Sequence, residues 1–152
     1  MRFSKFYVNL GLKKQLKMPE YIYTLEIPVR DYELDSEGIV NNANYLHYLE
    51  HTRHQFCKWA GLSFADMQAQ GFVPVLSRVE IDYKTPLRSG DVMESKLWVE
   101  MVGVRFVFHQ DIFNKATGDA VIHAKVSCVC LENGTLSRGI ALREAFKDYL
   151  KE

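Results

Sequence analysis

The sequence predicts an α+β domain in which a long central helix is wrapped by a curved antiparallel sheet. Residues 43–61 place apolar side chains at helical spacing over a broad face. Residues 72–137 instead alternate apolar and polar side chains in several long runs, as strands do. One more strand-like run precedes the helix. A long helix followed by a meander of strands is typical of the α+β class, since the sheet buries its apolar face against the helix.

The first elements follow directly from the pattern. Residues 21–29 alternate and predict a half-buried strand, and residues 30–42 form a loop rich in polar residues. The long helix should stop at Gly61, because glycine readily adopts the left-handed conformation that ends helices. Its wide apolar face predicts protein on most sides. Ser63, with an acidic residue three positions later, resembles a capping box and predicts a short second helix that ends before Gly71.

The strands that follow form a meander. The first is expected to point one set of side chains to the same face: Val73, Val75, Val79, Ile81 and Tyr83. Later strands are expected at residues 92–101, 104–113 and 120–131, with a strong hairpin signal at 132–135. A C-terminal helix is expected from about Leu142, with Tyr149 and Leu150 on its apolar face. Because long edge strands invite pairing with a second subunit, we expect a homodimer or homotetramer.

Composition narrows the class of protein further. A chain of 152 residues with 47% hydrophobic and 25% charged residues suits one globular domain. Lys+Arg and Asp+Glu both number 19, so no bulk charge favours nucleic acid. No apolar run approaches the roughly 20 residues that a membrane span needs. Three cysteines without metal-like spacing predict a reduced, cytoplasmic protein.

Residues 1–18 differ from the rest because they carry five basic residues and no acidic one. Their apolar stretch is broken by Asn9 and Gly11 and lacks a small-residue cleavage site, which argues against a secretory signal. We expect a basic N-terminal arm or a mis-assigned start, with Met18 as the true start. A single domain then covers residues 19–152.

The loop before the long helix carries the strongest chemical signal. Asp35 lies in this glycine- and asparagine-rich loop, shortly before a helix start whose N–H groups around Val40, Asn41 and Asn42 form a site for negative charge. A carboxylate that attacks or deprotonates, beside donors that stabilise an oxyanion, suits hydrolysis of an activated acyl group. The alternative is a turn aspartate that caps the loop.

The run DSEGIVNNANY at residues 35–45, followed by Tyr48, Glu50 and Arg53, resembles the signature of hotdog-fold acyl-CoA thioesterases. The resemblance covers residues 21–136. It points to the 4-hydroxybenzoyl-CoA thioesterase type, including the thioesterase associated with the Tol-Pal system, with some similarity to acyl-ACP thioesterases. It implies a hotdog fold and a homo-oligomer that hydrolyses acyl-CoA or acyl-ACP to a free acid and a thiol. Neither a metal nor a redox cofactor is implied.

The resemblance also implies roles for particular residues. Asp35 falls on the catalytic carboxylate, and the amide that polarises the thioester carbonyl falls near Asn42. Two departures matter: many relatives carry a tyrosine-histidine pair at Asn41 and Asn42, and acyl-ACP enzymes carry a histidine at Gly38, which we place beside the substrate. Asp35 is therefore expected to act with main-chain donors and water alone.

Other candidate residues concern substrate binding. Lys84, Arg88 and Arg105 suit the nucleotide phosphates of coenzyme A, although surface charges that balance nearby acidic residues are the alternative. Tyr45, Val75 and Phe106 are candidates for lining an acyl pocket, and core packing explains each of them about as well.

Three alternatives to this chemistry stay open. His47, Glu50 and His51 match the H-x-x-E-H pattern of inverted zinc peptidases, but a solvated helix face is the better interpretation, and we expect no metal. A non-catalytic domain that binds an acyl thioester would use the same pocket without turnover. A hotdog dehydratase would normally need a histidine near the helix start, and none lies between residues 1 and 46.

Overall fold

The structure, a computed structural model, describes residues 20–151. The predicted arm at residues 1–18 lies outside the described residues. The elements, in chain order, are β1 (Tyr23–Pro28), a 3-10 turn (Asp31–Glu33), α1 (Asn44–Trp59), α2 (Phe64–Ala69), β2 (Phe72–Tyr83), β3 (Val92–Val102), β4 (Arg105–Asn114), β5 (Ala120–Glu132), β6 (Thr135–Leu136), α3 (Ile140–Phe146) and β7 (Leu150–Lys151).

The strands form one sheet in the order β1-β3-β4-β5-β2. All of these neighbours are antiparallel, the short β6 pairs antiparallel with the end of β5, and the short β7 runs parallel to β3. The inner face of the sheet packs against α1, so the predicted α+β class, with a long helix wrapped by a curved antiparallel sheet, is confirmed. β2 forms one edge of the sheet, and within the described residues its only partner is β5.

The long helix α1 buries one face against the sheet. The side chains on that face are Tyr45, Tyr48, Leu49, Thr52, Phe56 and Cys57. Leu46 and Trp59, however, remain 48% and 60% exposed. The prediction of protein on most sides is therefore wrong for a single chain, because the sheet covers only one side of the helix.

The predicted ends of the helices are confirmed. Gly61 has φ +76°, and its N–H donates to the Lys58 carbonyl at 3.1 Å, so the chain leaves α1 where the glycine predicted it. Ser63 Oγ accepts a hydrogen bond from the Asp66 N–H at 3.1 Å, which is the cap that begins α2.

The end of the chain differs from the prediction. α3 ends at Phe146, and Leu150 lies in β7, opposite Val99 of β3. Leu150 therefore does not share a helix face with Leu142. A two-residue strand leaves no periodic pattern, so the sequence contained no signal for β7.

A β-bulge interrupts β2. The strand pairs with β5 in step as far as Leu76, which lies opposite Cys128, and pairing resumes with Arg78 opposite Ser127. Ser77 is thus an extra residue, and its hydroxyl donates to the Ser127 carbonyl at 3.0 Å. One extra residue reverses which face every later side chain occupies.

Because of the bulge, the prediction that Val73, Val75, Val79, Ile81 and Tyr83 all share one face is wrong. From Val79 onward they point to the helix side, as predicted, opposite buried residues of β5. Before the bulge, Val73 and Val75 point to the outer face, and Pro74 and Leu76 take the inner positions instead. The sequence could not reveal this, because apolar residues occupy both phases at residues 72–76.

Candidate active site

A buried carboxylate anchors the loop that leads into α1. Glu33 is 6% exposed, and its two oxygens accept hydrogen bonds from the Tyr48 hydroxyl at 2.7 Å, the Arg30 N–H at 2.8 Å and Arg30 Nη1 at 2.9 Å. Burial alone would raise the pKa of Glu33, but these donors outweigh it and hold the pKa below its ordinary value. The 3-10 turn is therefore fixed to the second turn of α1. Sequence reasoning missed this anchor, although Arg30 and Glu33 stand three residues apart in the loop.

The same residue fixes the return of the chain to the helix. The Glu33 carbonyl accepts from the Asn41 N–H at 2.9 Å and from Asn44 Nδ2 at 2.7 Å. The Val40 N–H donates to the Leu87 carbonyl at 2.9 Å. These hydrogen bonds fix the backbone of residues 40–44 and use the N–H groups of Val40 and Asn41 as donors.

Among the three amides predicted to stabilise an oxyanion, two are engaged. The N–H groups of Val40 and Asn41 donate to backbone carbonyls, whereas the Asn42 N–H has no acceptor within residues 20–151. The Asn42 carbonyl accepts from the Tyr83 hydroxyl at 3.1 Å, so this peptide segment is nevertheless held in place. Of the three amides, the Asn42 N–H is the one without an acceptor among the described residues, and it lies just before the positive end of α1.

Asp35 uses one carboxylate oxygen to shape its own loop. Oδ1 accepts from the Glu37 N–H at 2.8 Å and, more weakly, from the Ile39 N–H at 3.4 Å. Gly38 has φ +73° and closes this turn, with its N–H on the Asp35 carbonyl at 3.1 Å. Oδ2 accepts no hydrogen bond from the described residues. Asp35 therefore shapes the turn through Oδ1, and Oδ2 remains available to accept a hydrogen bond or to react.

Asp35 and Asn42 line the same cavity, which has a volume of about 320 Å³. Tyr45, Tyr83 and Lys84 complete much of its wall, and the two tyrosine rings meet edge to face with centroids 5.6 Å apart. The cavity is open to solvent and combines an apolar floor with a carboxylate, an unpaired amide and an ammonium group. That combination suits a polar, hydrolysable group attached to an apolar one.

The structure brings some of the other candidates to this cavity and separates others. Arg88 bridges to Ile39 of the Asp35 loop through its backbone, so it lies at the edge of the site. Val75 and Arg105 both pair with Val129, at the other end of β5. Tyr83 and Val75 are eight residues apart along β2, which is roughly 26 Å.

Val75 and Arg105 are therefore not in the Asp35 cavity of a single chain. The side chain of Val75, moreover, points to the outer face. Pro74 and Leu76 occupy the inner positions where Val75 was expected.

A second cavity, about 120 Å³ in volume, lies between α1, α2 and the inner face of the sheet. Its wall is largely apolar and includes Cys57, Leu76, Phe106, Phe108 and Cys128. Burial raises the pKa of Cys57 to about 12, so this thiol is a packing group at neutral pH. Arg53 also lines the cavity; the sequence signature includes Arg53 but did not indicate that it faces a cavity.

The histidines of the H-x-x-E-H run lie on the exposed side of α1. No three His, Cys, Asp or Glu side chains within residues 20–151 are grouped so that they could hold a metal ion. A cleft of about 360 Å³ lies on the outer face of the sheet, where His123 contacts Asp111 at 2.7 Å and His109 contacts Glu100 at 2.7 Å. No helix in the described part of the chain is both long and apolar enough to cross a membrane.

Comparison with known proteins shows which family the chain belongs to. The family model of the thioesterase-like superfamily matches residues 29–150, and the chain belongs to that family. It is 35% identical to the acyl-acyl carrier protein thioesterase ATL2 of Arabidopsis thaliana over 73% of this chain and 60% of that protein. It is 34% identical to the putative acyl-CoA thioesterase YneP of Bacillus subtilis over 82% of this chain and 89% of that protein. The chain spans only about three fifths of the length of the plant relative.

A solved structure supports the fold. The 1,4-dihydroxy-2-naphthoyl-CoA thioesterase Slr0204 of Synechocystis superposes with a TM-score of 0.76 over 83% of this chain and 96% of that one. Sequence identity is 19%, so this likeness concerns the fold alone. The predicted hotdog architecture is confirmed.

Proposed function

We propose that the protein hydrolyses acyl-CoA or acyl-ACP thioesters to a free acid and a thiol. One observation carries the proposal: Asp35 and Asn42 line the same cavity, and the Asp35 Oδ2 and the Asn42 N–H both lack a hydrogen-bond partner among the described residues. The names of the relatives, which act on acyl-ACP or are described as acyl-CoA thioesterases, support the same reaction.

In this mechanism the thioester carbonyl oxygen accepts the Asn42 N–H. The amide and the nearby helix start stabilise the negative charge that develops on that oxygen. Asp35 either attacks the carbonyl carbon, giving a mixed anhydride that water then hydrolyses, or removes a proton from an attacking water. In both routes the C–S bond breaks and the electron pair leaves with sulfur. A thiolate is a good leaving group, so no strong general acid is needed.

Lys84 and Arg88 are proposed to hold the nucleotide phosphates of coenzyme A at the cavity edge. Tyr45 and Tyr83 form the apolar floor beside the reacting group. The three cysteines are free thiols, which is consistent with a proposed cytoplasmic location.

We also propose that the active form is a homodimer or homotetramer. β2 is a 12-residue edge strand, and Val73, Val75 and Leu76 are exposed on it. Antiparallel pairing of two β2 strands about a two-fold axis would bring the Leu76 end of one strand toward the Tyr83 end of the other. The small apolar cavity of one subunit would then approach the Asp35 cavity of its partner and receive the acyl chain. Arg105 would reach the site only through this route.

The test is a hydrolysis screen across acyl-CoA and acyl-ACP chain lengths, with released thiol as the readout, alongside light scattering. Thiol release from at least one thioester, by a dimer or tetramer, is the expected result. Tight binding of a thioester without thiol release would favour the alternative, a non-catalytic binding domain. A stable monomer at micromolar concentration would contradict the shared cavity.

A further inference from the structure

Arg53 projects from the middle of α1 into the small apolar cavity near Leu76. Its Nη1 donates to Gln110 Oε1 at 2.8 Å, and Gln110 Nε2 donates to the Leu49 carbonyl at 3.0 Å. Gln110 is completely buried, so its amide is held at both ends and fixes the guanidinium in place. Arg53 is half-buried and is tied to the core through Gln110.

The charge of Arg53 has no counterpart in direct contact. No ion pair within residues 20–151 includes it. Glu50, one turn earlier on α1, is 57% exposed and lies 4.0 Å from His54 instead. A guanidinium has five N–H donors, and only one of them has an acceptor among the described side chains.

This arrangement leaves hydrogen-bond donors available to an acceptor from outside the chain. Arg53 is half-buried, and this burial lowers the pKa of its guanidinium, although Glu50, which lines the same cavity, acts in the opposite direction. Most of the other side chains around Arg53 are apolar, so they supply few further acceptors. A ligand that places an oxygen beside the guanidinium satisfies the donors, whereas a plain hydrocarbon chain leaves them unsatisfied.

We propose that Arg53 is a specificity residue that selects acyl groups bearing an oxygen substituent on the chain, such as a hydroxyl group, over plain acyl chains of the same length. This proposal rests on the proposed thioesterase function. The apolar wall holds the hydrocarbon part of the acyl group, and the Arg53 guanidinium donates to its oxygen.

The experiment compares kcat/KM for matched acyl-CoA pairs of equal carbon number, one plain and one hydroxylated in the chain interior or at its far end. The wild type is expected to prefer the hydroxylated member of at least one pair. Arg53→Met should lower that preference by about tenfold or more, the range for a hydrogen bond to a charged donor. Arg53→Lys should keep part of it. Arg143→Met, which removes an exposed arginine of α3, serves as the matched control and should change nothing.

An unchanged preference in folded Arg53→Met would overturn the proposal, and so would a wild type that prefers the plain member of every pair. If Arg53→Met does not fold, the same comparison is made with Arg53→Lys, whose preference must fall below that of the wild type. If the wild type released no thiol from any of the substrates, the proposed hydrolysis itself would be refuted.

A second measurement is independent of activity. With product acids as probes, calorimetry should show that the wild type binds the hydroxylated acid more tightly than the plain acid, and that Arg53→Met loses this difference. Equal affinity of the wild type for both acids would contradict a role for Arg53 in selection.

Discussion

Glu33 is bonded to α1 and Arg53 lies on it; both are ionisable, but their hydrogen-bond partners differ. The Glu33 carboxylate accepts three hydrogen bonds from Tyr48 and Arg30. The Arg53 guanidinium donates to one side chain, Gln110. A buried charge whose hydrogen bonds are complete stabilises the fold, whereas a half-buried charge with unused donors can bind a ligand, as proposed for Arg53.

Asp35 lies between these two cases. One of its oxygens completes a turn and the other accepts nothing from the described residues. The comparison therefore separates a structural anchor (Glu33), a group proposed for chemistry (Asp35) and a group proposed for selection (Arg53). Four further changes test these distinctions.

The largest effect is expected at Asp35. Asp35→Asn keeps an oxygen for the turn but removes the negative charge and the nucleophile. We expect kcat for thioester hydrolysis to fall by roughly 10²–10⁴-fold while the protein still folds. Asp31→Asn, in the same loop and exposed, is the matched control and should stay within a few-fold of the wild type. If Asp35→Asn also stays within a few-fold, Asp35 is a turn residue only.

The next change addresses the free amide. Asn42→Pro removes the N–H, and Asn42→Ala keeps it while removing the side chain. We expect the proline variant to lose about 10²–10³-fold in kcat, as when one oxyanion donor is removed. The alanine variant should remain close to wild type. Melting temperatures establish that both fold, and an active, folded proline variant would argue against the Asn42 amide.

Glu33 should behave as an anchor. Glu33→Gln weakens its hydrogen bonds, and we expect a loss of about 1–3 kcal/mol in the free energy of unfolding by urea titration at pH 7. Because the pKa of Glu33 is lowered in the folded state, its contribution is complete above the ordinary value of 4.5 and is lost as the pH falls through the lowered value.

The glutamine variant should therefore lose less stability on acidification than the wild type. Glu37→Gln, on the exposed part of the same loop, is the control and should not alter either quantity. An equal loss of stability in the two variants would remove Glu33 from the role of anchor.

The smallest effect is expected from the basic residues. Lys84→Ala should raise KM for acyl-CoA by about two- to fivefold, the scale of an exposed ion pair, and leave a short pantetheine thioester unaffected. Arg88→Ala and Arg105→Ala extend the comparison, and Lys125→Ala on the outer face is the control. An equal change in KM for both substrates would show that these residues do not bind the nucleotide phosphates.

The sequence predicted the features that depend on near neighbours in the chain. Helical spacing located α1, Gly61 located its end, and the Ser63 cap located the start of α2. The loop with Asp35 and Asn42 was also recognisable, because both residues fall within eight positions of each other.

Features that depend on distant pairing were not predictable. The contact of Arg53 with Gln110 joins residues 57 positions apart, and the selection of the Asn42 amide depends on where carbonyls such as Leu87 lie. The bulge at Ser77 was hidden because apolar side chains occupy both phases of residues 72–76.

The bulge at Ser77 has a consequence for how such a cavity changes between relatives. If every residue of β2 paired with β5 without the bulge, Val73 and Val75 would replace Pro74 and Leu76 on the inner face, while the Tyr83 end of β2 would keep its place beside Asn42. Pocket shape would then vary through the pairing of one strand, with no substitution in the cavity wall. Relatives that pair this strand without a bulge are expected to differ in the acyl groups they accept and to share the same Asp35 loop.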